Sequence, residues 1–156
     1  MSSRRRAREY ALQALYQLDL DGGEVRPALD ALWSGILDSP DDSLGAHEPE
    51  PDEIAFATKL AEGVRADREL LDERIQSSST NWRVGRMAVV DRNILRLGAY
   101  EILNRPEIPV NVSINEAVEL AKKYGDKDSR AFVNGLLDRI AAETGRGGRR
   151  HPATPT

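Results

Sequence analysis

Apolar residues recur along this chain at steps of three and four, the period of helices that bury one face. From Arg4 to Leu20, Ala7, Ala11, Ala14, Leu15 and Leu18 fall on one side, and Leu12 and Tyr16 widen the stripe. Asp21-Gly22-Gly23 ends it, because glycine takes the left-handed conformation that helix ends commonly need. A second helix is predicted over about 26–37, with Pro27 tolerated in its first turn and Leu29, Leu32, Trp33, Ile36 and Leu37 facing inward. Residues 38–53 break the pattern. They hold seven acids and no Lys or Arg, interrupted by Pro40, Pro49 and Pro51, which predicts an exposed loop.

Helix resumes near Asp52 with Ile54, Phe56, Ala57, Leu60, Ala61 and Val64. Asp67 is expected to cap the next helix, which carries Leu70, Leu71 and Ile75. After a polar loop at 76–81 comes the longest amphipathic element, about 86–105. There Met87, Val90, Ile94 and Leu97 are joined by Tyr100, Ile102 and Leu103, and Pro106 and Pro109 close it. Ser113-Ile114-Asn115-Glu116 matches a capping box, which places a helix start at Ser113 and its end at Gly125. A last helix is predicted over Ser129–Glu143, with Phe132, Val133, Leu136, Leu137 and Ile140 inward. The reading is an all-α fold of about seven helices, without a strand or a repeat of fixed period.

At 156 residues the chain suffices for one sizeable core. Residues 1–143 are expected to form a single domain, and 144–156, rich in Gly, Arg and Pro, a flexible basic tail. With no cysteine there are no disulfides, no thiolate nucleophile and no Cys-based zinc site. His47 and His151 both lie in polar stretches, so a metal centre or a histidine relay is not expected. No glycine-rich phosphate loop opens a helix. Glu101 and Arg105, four apart, read as an exposed supporting pair. No catalysis, cofactor or metal is expected. Nor is a membrane span or a signal peptide, and a cytoplasmic protein is the expectation.

Charge changes the picture. The net charge of −4 conceals +3 over residues 1–9, +3 over residues 144–156 and −10 between them. Arg4, Arg5, Arg6 and Arg8 precede and enter the first helix. Guanidinium groups suit phosphate oxygens, yet cations at a helix N-terminus are unfavourable by roughly 0.3–1 kcal/mol each. An external anion would offset that, which points towards nucleic acid; a solvated leader is the equal alternative.

Four motifs, in order, carry a resemblance. They are Arg8-Glu9 with Ala11-Leu12-Gln13-Ala14-Leu15-Tyr16-Gln17; Trp82 followed by Asp91-Arg92-Asn93-Ile94-Leu95-Arg96-Leu97-Gly98-Ala99-Tyr100-Glu101-Ile102-Leu103; Pro109 with Ile114-Asn115-Glu116-Ala117-Val118-Glu119-Leu120-Ala121-Lys122; and Phe132-Val133-Asn134-Gly135-Leu136-Leu137-Asp138. This set resembles the NusB family of transcription antitermination factors closely over 4–20 and 82–140, and only by length and helical pattern over 21–80. The resemblance implies two small packed bundles sharing a core and a single NusB-like RNA-binding domain over 1–143. It implies binding of single-stranded boxA RNA of nascent transcripts, notably from ribosomal RNA operons. The implied partner is NusE, a small-subunit ribosomal protein, in a heterodimer that joins other Nus factors on RNA polymerase. A homodimer stays open.

The resemblance assigns RNA contacts to Arg4, Arg5, Arg6 and Arg8 and to the turn and start of the last helix, Asp128, Ser129, Phe132 and Asn134. It assigns the NusE face to the long helix, with Asp91, Arg92, Tyr100 and Glu101. Tyr16 and Phe132 suit base stacking, and core packing is the competing role of each. Asp91, Arg92 and Arg96 are as well read as an internal ion-pair network. Gly135 and Gly98 suggest close helix packing. Two other readings remain: the helical domain of an RNA methyltransferase, for which this chain has no strand–glycine loop–helix unit, and a helical interaction protein that binds no RNA.

Overall fold

The computed structural model describes residues 3–38 and 48–145, and among them every element of regular structure is helical. The acidic stretch 39–47 and the arginine-bearing tail 146–156, with both histidines, lie outside the described residues. By its internal contacts the chain divides into two compact units, Met1–Ala66 and Asp67–Thr156.

The first unit holds α1 (Arg4–Asp21), α2 (Val25–Asp38) and α3 (Pro51–Ala66), with α1 packed against both others. The predicted stripe of α1 is buried from Ala7 to Leu18. Tyr10 joins it, fully buried, its ring edge-on to Trp33 at 5.0 Å. Tyr16, expected to widen the stripe, is instead 37% exposed. Gly22 at φ 75° and Gly23 at φ 100° end α1 in the left-handed region, and the Gly22 amide donates to the Leu18 carbonyl. Pro51 occupies the first position of α3, where its missing N–H is no loss.

The second unit holds α4 (Arg68–Ser78), a 3-10 turn (Val84–Arg86), α5 (Val89–Asn104), α6 (Val110–Tyr124) and α7 (Ser129–Glu143). α7 packs against α4, α5 and α6. Several expectations are corrected here. Asp67 precedes α4 but makes no side-chain cap bond. Leu71 and Ile75 are buried, whereas Leu70 is 53% exposed. The long helix begins at Val89, not Arg86, because the 3-10 turn and extended residues at 87–88 come first. The capping box does not form. α6 starts at Val110 behind Pro109, whose fixed φ suits a helix entry, so Ser113 lies inside the helix. Its buried hydroxyl donates to Glu101 Oε1 at 2.9 Å. Glu101, 2% exposed, is therefore an interior acceptor and not half of a surface pair.

The two glycines part ways. A Cβ on Gly98 would stand 2.6 Å from Leu137 Cδ1, so α5 and α7 cross closely there. A Cβ on Gly135 would meet nothing within 4 Å, so close packing does not explain that residue. The expected Asp91–Arg92–Arg96 network is also rearranged. Arg96 forks onto Asp72 at 2.7 and 2.9 Å, Arg92 donates to the Gly85 carbonyl, and Asp91 accepts from Ser129. Among the described residues no helix is long and apolar enough to cross a membrane.

Candidate nucleic-acid interface

In the first unit the arginines open α1. Ser3 caps the helix, its hydroxyl accepting from the Arg6 amide at 3.1 Å. The anion that offsets the cations in this turn is internal. Glu53 of α3, its side chain fully buried, accepts the Ser3 amide at 2.8 Å, and its carboxylate lies 3.4 Å from Arg6 Nη1. The guanidinium carbons of Arg4 and Arg8 lie 4.7 and 5.4 Å from the centre of the Phe56 ring, within cation–π range. Arg8 is thereby 4% exposed, which removes it from the accessible cations. Arg4 and Arg5 are exposed, and Arg6 is partly so. Burial pushes the Tyr10 hydroxyl's pKa up, and the Glu53 charge adds to the shift.

In the second unit a cleft of about 330 Å³ opens between the start of α5 and the start of α7. Trp82, Arg86, Met87, Ala88, Asp91, Asp126, Asp128 and Phe132 line it. Trp82 is 56% exposed, yet its backbone is tied down. Its carbonyl accepts from the Ser79 hydroxyl at 2.8 Å and from Gln76 Nε2 at 3.1 Å, and Gln76 Oε1 accepts the Val84 amide at 3.0 Å. A large ring is thus presented on a pinned loop.

The turn before α7 forms the opposite side. The Ser129 hydroxyl donates to Asp91 Oδ1 at 2.7 Å and accepts the Asp126 amide at 3.0 Å, and the Asp128 amide donates to Asp126 Oδ1 at 2.8 Å. Gly125 permits this turn, since a Cβ there would come within 2.6 Å of Ser129 Cβ. Burial raises the Asp91 carboxyl's pKa above its ordinary range; the Ser129 hydrogen bond works against that shift and the Asp126 charge with it. Among the described residues no group of three His, Cys, Asp or Glu could hold a metal ion.

The structure brings four of the expected residues together. Asp91, Asp128 and Phe132 line the cleft, and Ser129 is bonded to the first of them. The resemblance assigns Asp91 to a partner face and the other three to RNA, so the two assignments meet at one place. Phe132, expected inward, is half-exposed at the cleft. Asn134 is exposed on α7 but does not line the cleft, and neither do the partly exposed Arg92 and Tyr100. Sequence reasoning misses Trp82, Arg86, Met87 and Asp126 as site residues. The available signal is Trp82 itself, an aromatic in a polar loop away from any apolar stripe.

Exposed guanidinium groups in one unit, and in the other an exposed indole and a phenyl ring lining one cleft, are the equipment of a helical ligand-binding protein. The family model described as NusB family matches residues 5–142, including the middle stretch without motifs. Transcription antitermination protein NusB of Myxococcus xanthus is 49% identical over 141 residues, 90% of this chain and 96% of that protein. The structure of T. maritima NusB superposes with a TM-score of 0.78 at 34% identity, covering 92% of this chain and 94% of that one. A chain in the crystal structure of antitermination factors NusB and NusE in complex with dsRNA gives 0.75 at 26% identity, covering 90% of this chain and 96% of that one. The chain belongs to the NusB family.

Proposed function

We propose that this chain is a transcription antitermination factor that holds single-stranded boxA RNA of a nascent transcript in complex with NusE, within a Nus-factor assembly on RNA polymerase in the cytoplasm. The observation that carries the reading is the 49% identity, along 90% of the chain, to a protein named transcription antitermination protein NusB. The geometry supports it in chemical detail. The cleft is edged by three carboxylates against one guanidinium, a poor receptor for phosphate. It suits an unpaired base, whose face stacks on Trp82 or Phe132 and whose amino group donates to a carboxylate. Phosphates fall to the exposed Arg4 and Arg5. The acidic body makes RNA binding by this chain alone weak, and a basic partner such as NusE adds the missing attraction. The chain acts by binding, without a catalytic step.

The test is RNA binding by the purified chain, with and without NusE, using matched and scrambled boxA oligonucleotides across a salt series. Matched RNA should bind more tightly, more so with NusE, with a log–log salt slope of about −0.7 per phosphate met. Trp82→Ala should weaken binding of the single strand by about 1–3 kcal/mol and leave a duplex of the same sequence unaffected, since its bases are stacked inside. Tight NusE binding with no gain in RNA affinity would refute the RNA assignment and favour a helical interaction protein.

A further inference from the structure

We infer that Glu53 is a positioning residue for RNA binding: its carboxylate fixes the arginine-bearing first turn of α1 in place before RNA arrives. The inference rests on the RNA-binding reading above and adds a residue that no motif pointed to. Three contacts converge on one fully buried carboxylate. Oε2 accepts the Ser3 amide at 2.8 Å and lies 3.4 Å from Arg6 Nη1, while Oε1 accepts the Glu50 amide at 3.1 Å. Glu53 therefore ties the amide ahead of α1 to the start of its own helix, fifty residues on. Three residues along α3, Phe56 lies beneath the guanidinium groups of Arg4 and Arg8. One turn of α3 thus grips the arginine segment at both its backbone and its side chains.

A helix start with four arginines in five positions repels itself, and without a fixed counter-charge it would fray. Holding it in advance removes the ordering cost from the binding step. A competing role, in which Glu53 withholds the arginines from RNA, applies to Arg6, whose guanidinium meets the carboxylate. Arg4 and Arg5 meanwhile stay exposed.

The experiment compares the full chain with Glu53→Gln, which keeps an acceptor and removes the charge, and with Phe56→Leu, which keeps apolar volume and removes the ring. Two quantities are read: amide hydrogen exchange at Arg6 and Ala7, and affinity for a boxA oligonucleotide over a salt series with NusE present. Both variants should exchange faster at those two amides. They should bind RNA on the order of three- to tenfold more weakly at low salt, with a slope shallower by about 0.7 for each phosphate no longer met. A merely structural role would lower thermal stability and leave the slope of the folded protein unchanged; an unchanged slope overturns the inference. Tighter binding overturns it too, in favour of withholding, and so does unchanged exchange at Arg6 and Ala7. Absence of RNA binding by the unsubstituted chain with NusE would instead bring down the RNA-binding reading, while exchange still decides whether Glu53 holds the turn. Should Glu53→Gln fail to fold, Phe56→Leu carries the same two readouts.

Discussion

Gly98 and Gly135 allow one chemical change to be made in two helices of the same unit with different results. Alanine in a helix interior is favoured over glycine by about 0.8–1 kcal/mol. At Gly135 a Cβ meets nothing within 4 Å, so Gly135→Ala should stabilise by nearly that amount. At Gly98 the Cβ would lie 2.6 Å from Leu137 Cδ1, 3.1 Å from Cδ2 and 3.4 Å from Cγ. Carbon atoms in good contact sit about 3.5–4.0 Å apart, so the Leu137 side chain would have to retreat by about 1 Å. Leu137 is 0% exposed, so its side chain would have to move within the packed interior. Overpacking of this kind costs about 1–3 kcal/mol, and since the propensity gain is common to both, the two variants should differ by that amount. Urea unfolding at equal slope measures it. α5 carries Asp91 and α7 carries Phe132, so a displaced crossing also shifts the cleft, and Gly98→Ala should lose more RNA affinity than Gly135→Ala. Equal stability of the two variants, or a more stable Gly98→Ala, would refute the close-crossing argument. Adding Leu137→Ala tests it independently, because Gly98→Ala should then cease to destabilise.

Three further outcomes follow from particular contacts. Ser113→Ala leaves the buried Glu101 carboxylate short of a donor and should destabilise by about 1–3 kcal/mol in denaturant unfolding; a loss below about 0.5 kcal/mol would return Ser113 to an exposed helix start. Arg96→Lys cannot reproduce the fork onto Asp72 or the bond to Asn93, and should cost about 1–2 kcal/mol, a figure reduced because Asp72 is partly open to solvent. The Asp91 carboxyl holds its proton more tightly folded than unfolded, so its contribution to stability is greatest at acid pH. That contribution is lost as pH rises from the ordinary carboxylate range through its raised value; unfolding across that window should show the dependence in the native chain and not in Asp91→Asn.

Much of this protein is written locally. A helix reveals itself by the three-and-four spacing of Leu, Ile, Val and Ala, because each buried face depends only on neighbours one turn away. The stripes of α1, α3 and α7 were legible for that reason, as were the glycine stop after Asp21 and the paired basic ends around an acidic body. The motif order was also enough to suggest the family. Local signals failed where two were in competition: Ser113-Ile114-Asn115-Glu116 has the chemistry of a helix start, but Pro109, one turn earlier, begins the helix first.

What only the tertiary structure decided is which charged and aromatic groups are available. Arg4, Arg5, Arg6 and Arg8 are equivalent as letters; some fifty positions away Phe56 meets Arg4 and Arg8 and Glu53 engages Arg6, with Arg8 buried while Arg4 and Arg5 stay exposed. Glu101 looked like a surface acid until Ser113 of the next helix supplied its donor. Asp91 of α5 and Phe132 of α7 share a cleft with Trp82, which Ser79 and Gln76 hold on its loop. Burying a charge is tolerable only when a donor or counter-ion is in place, and that partner is brought by packing from a distant part of the chain, beyond the reach of any spacing rule.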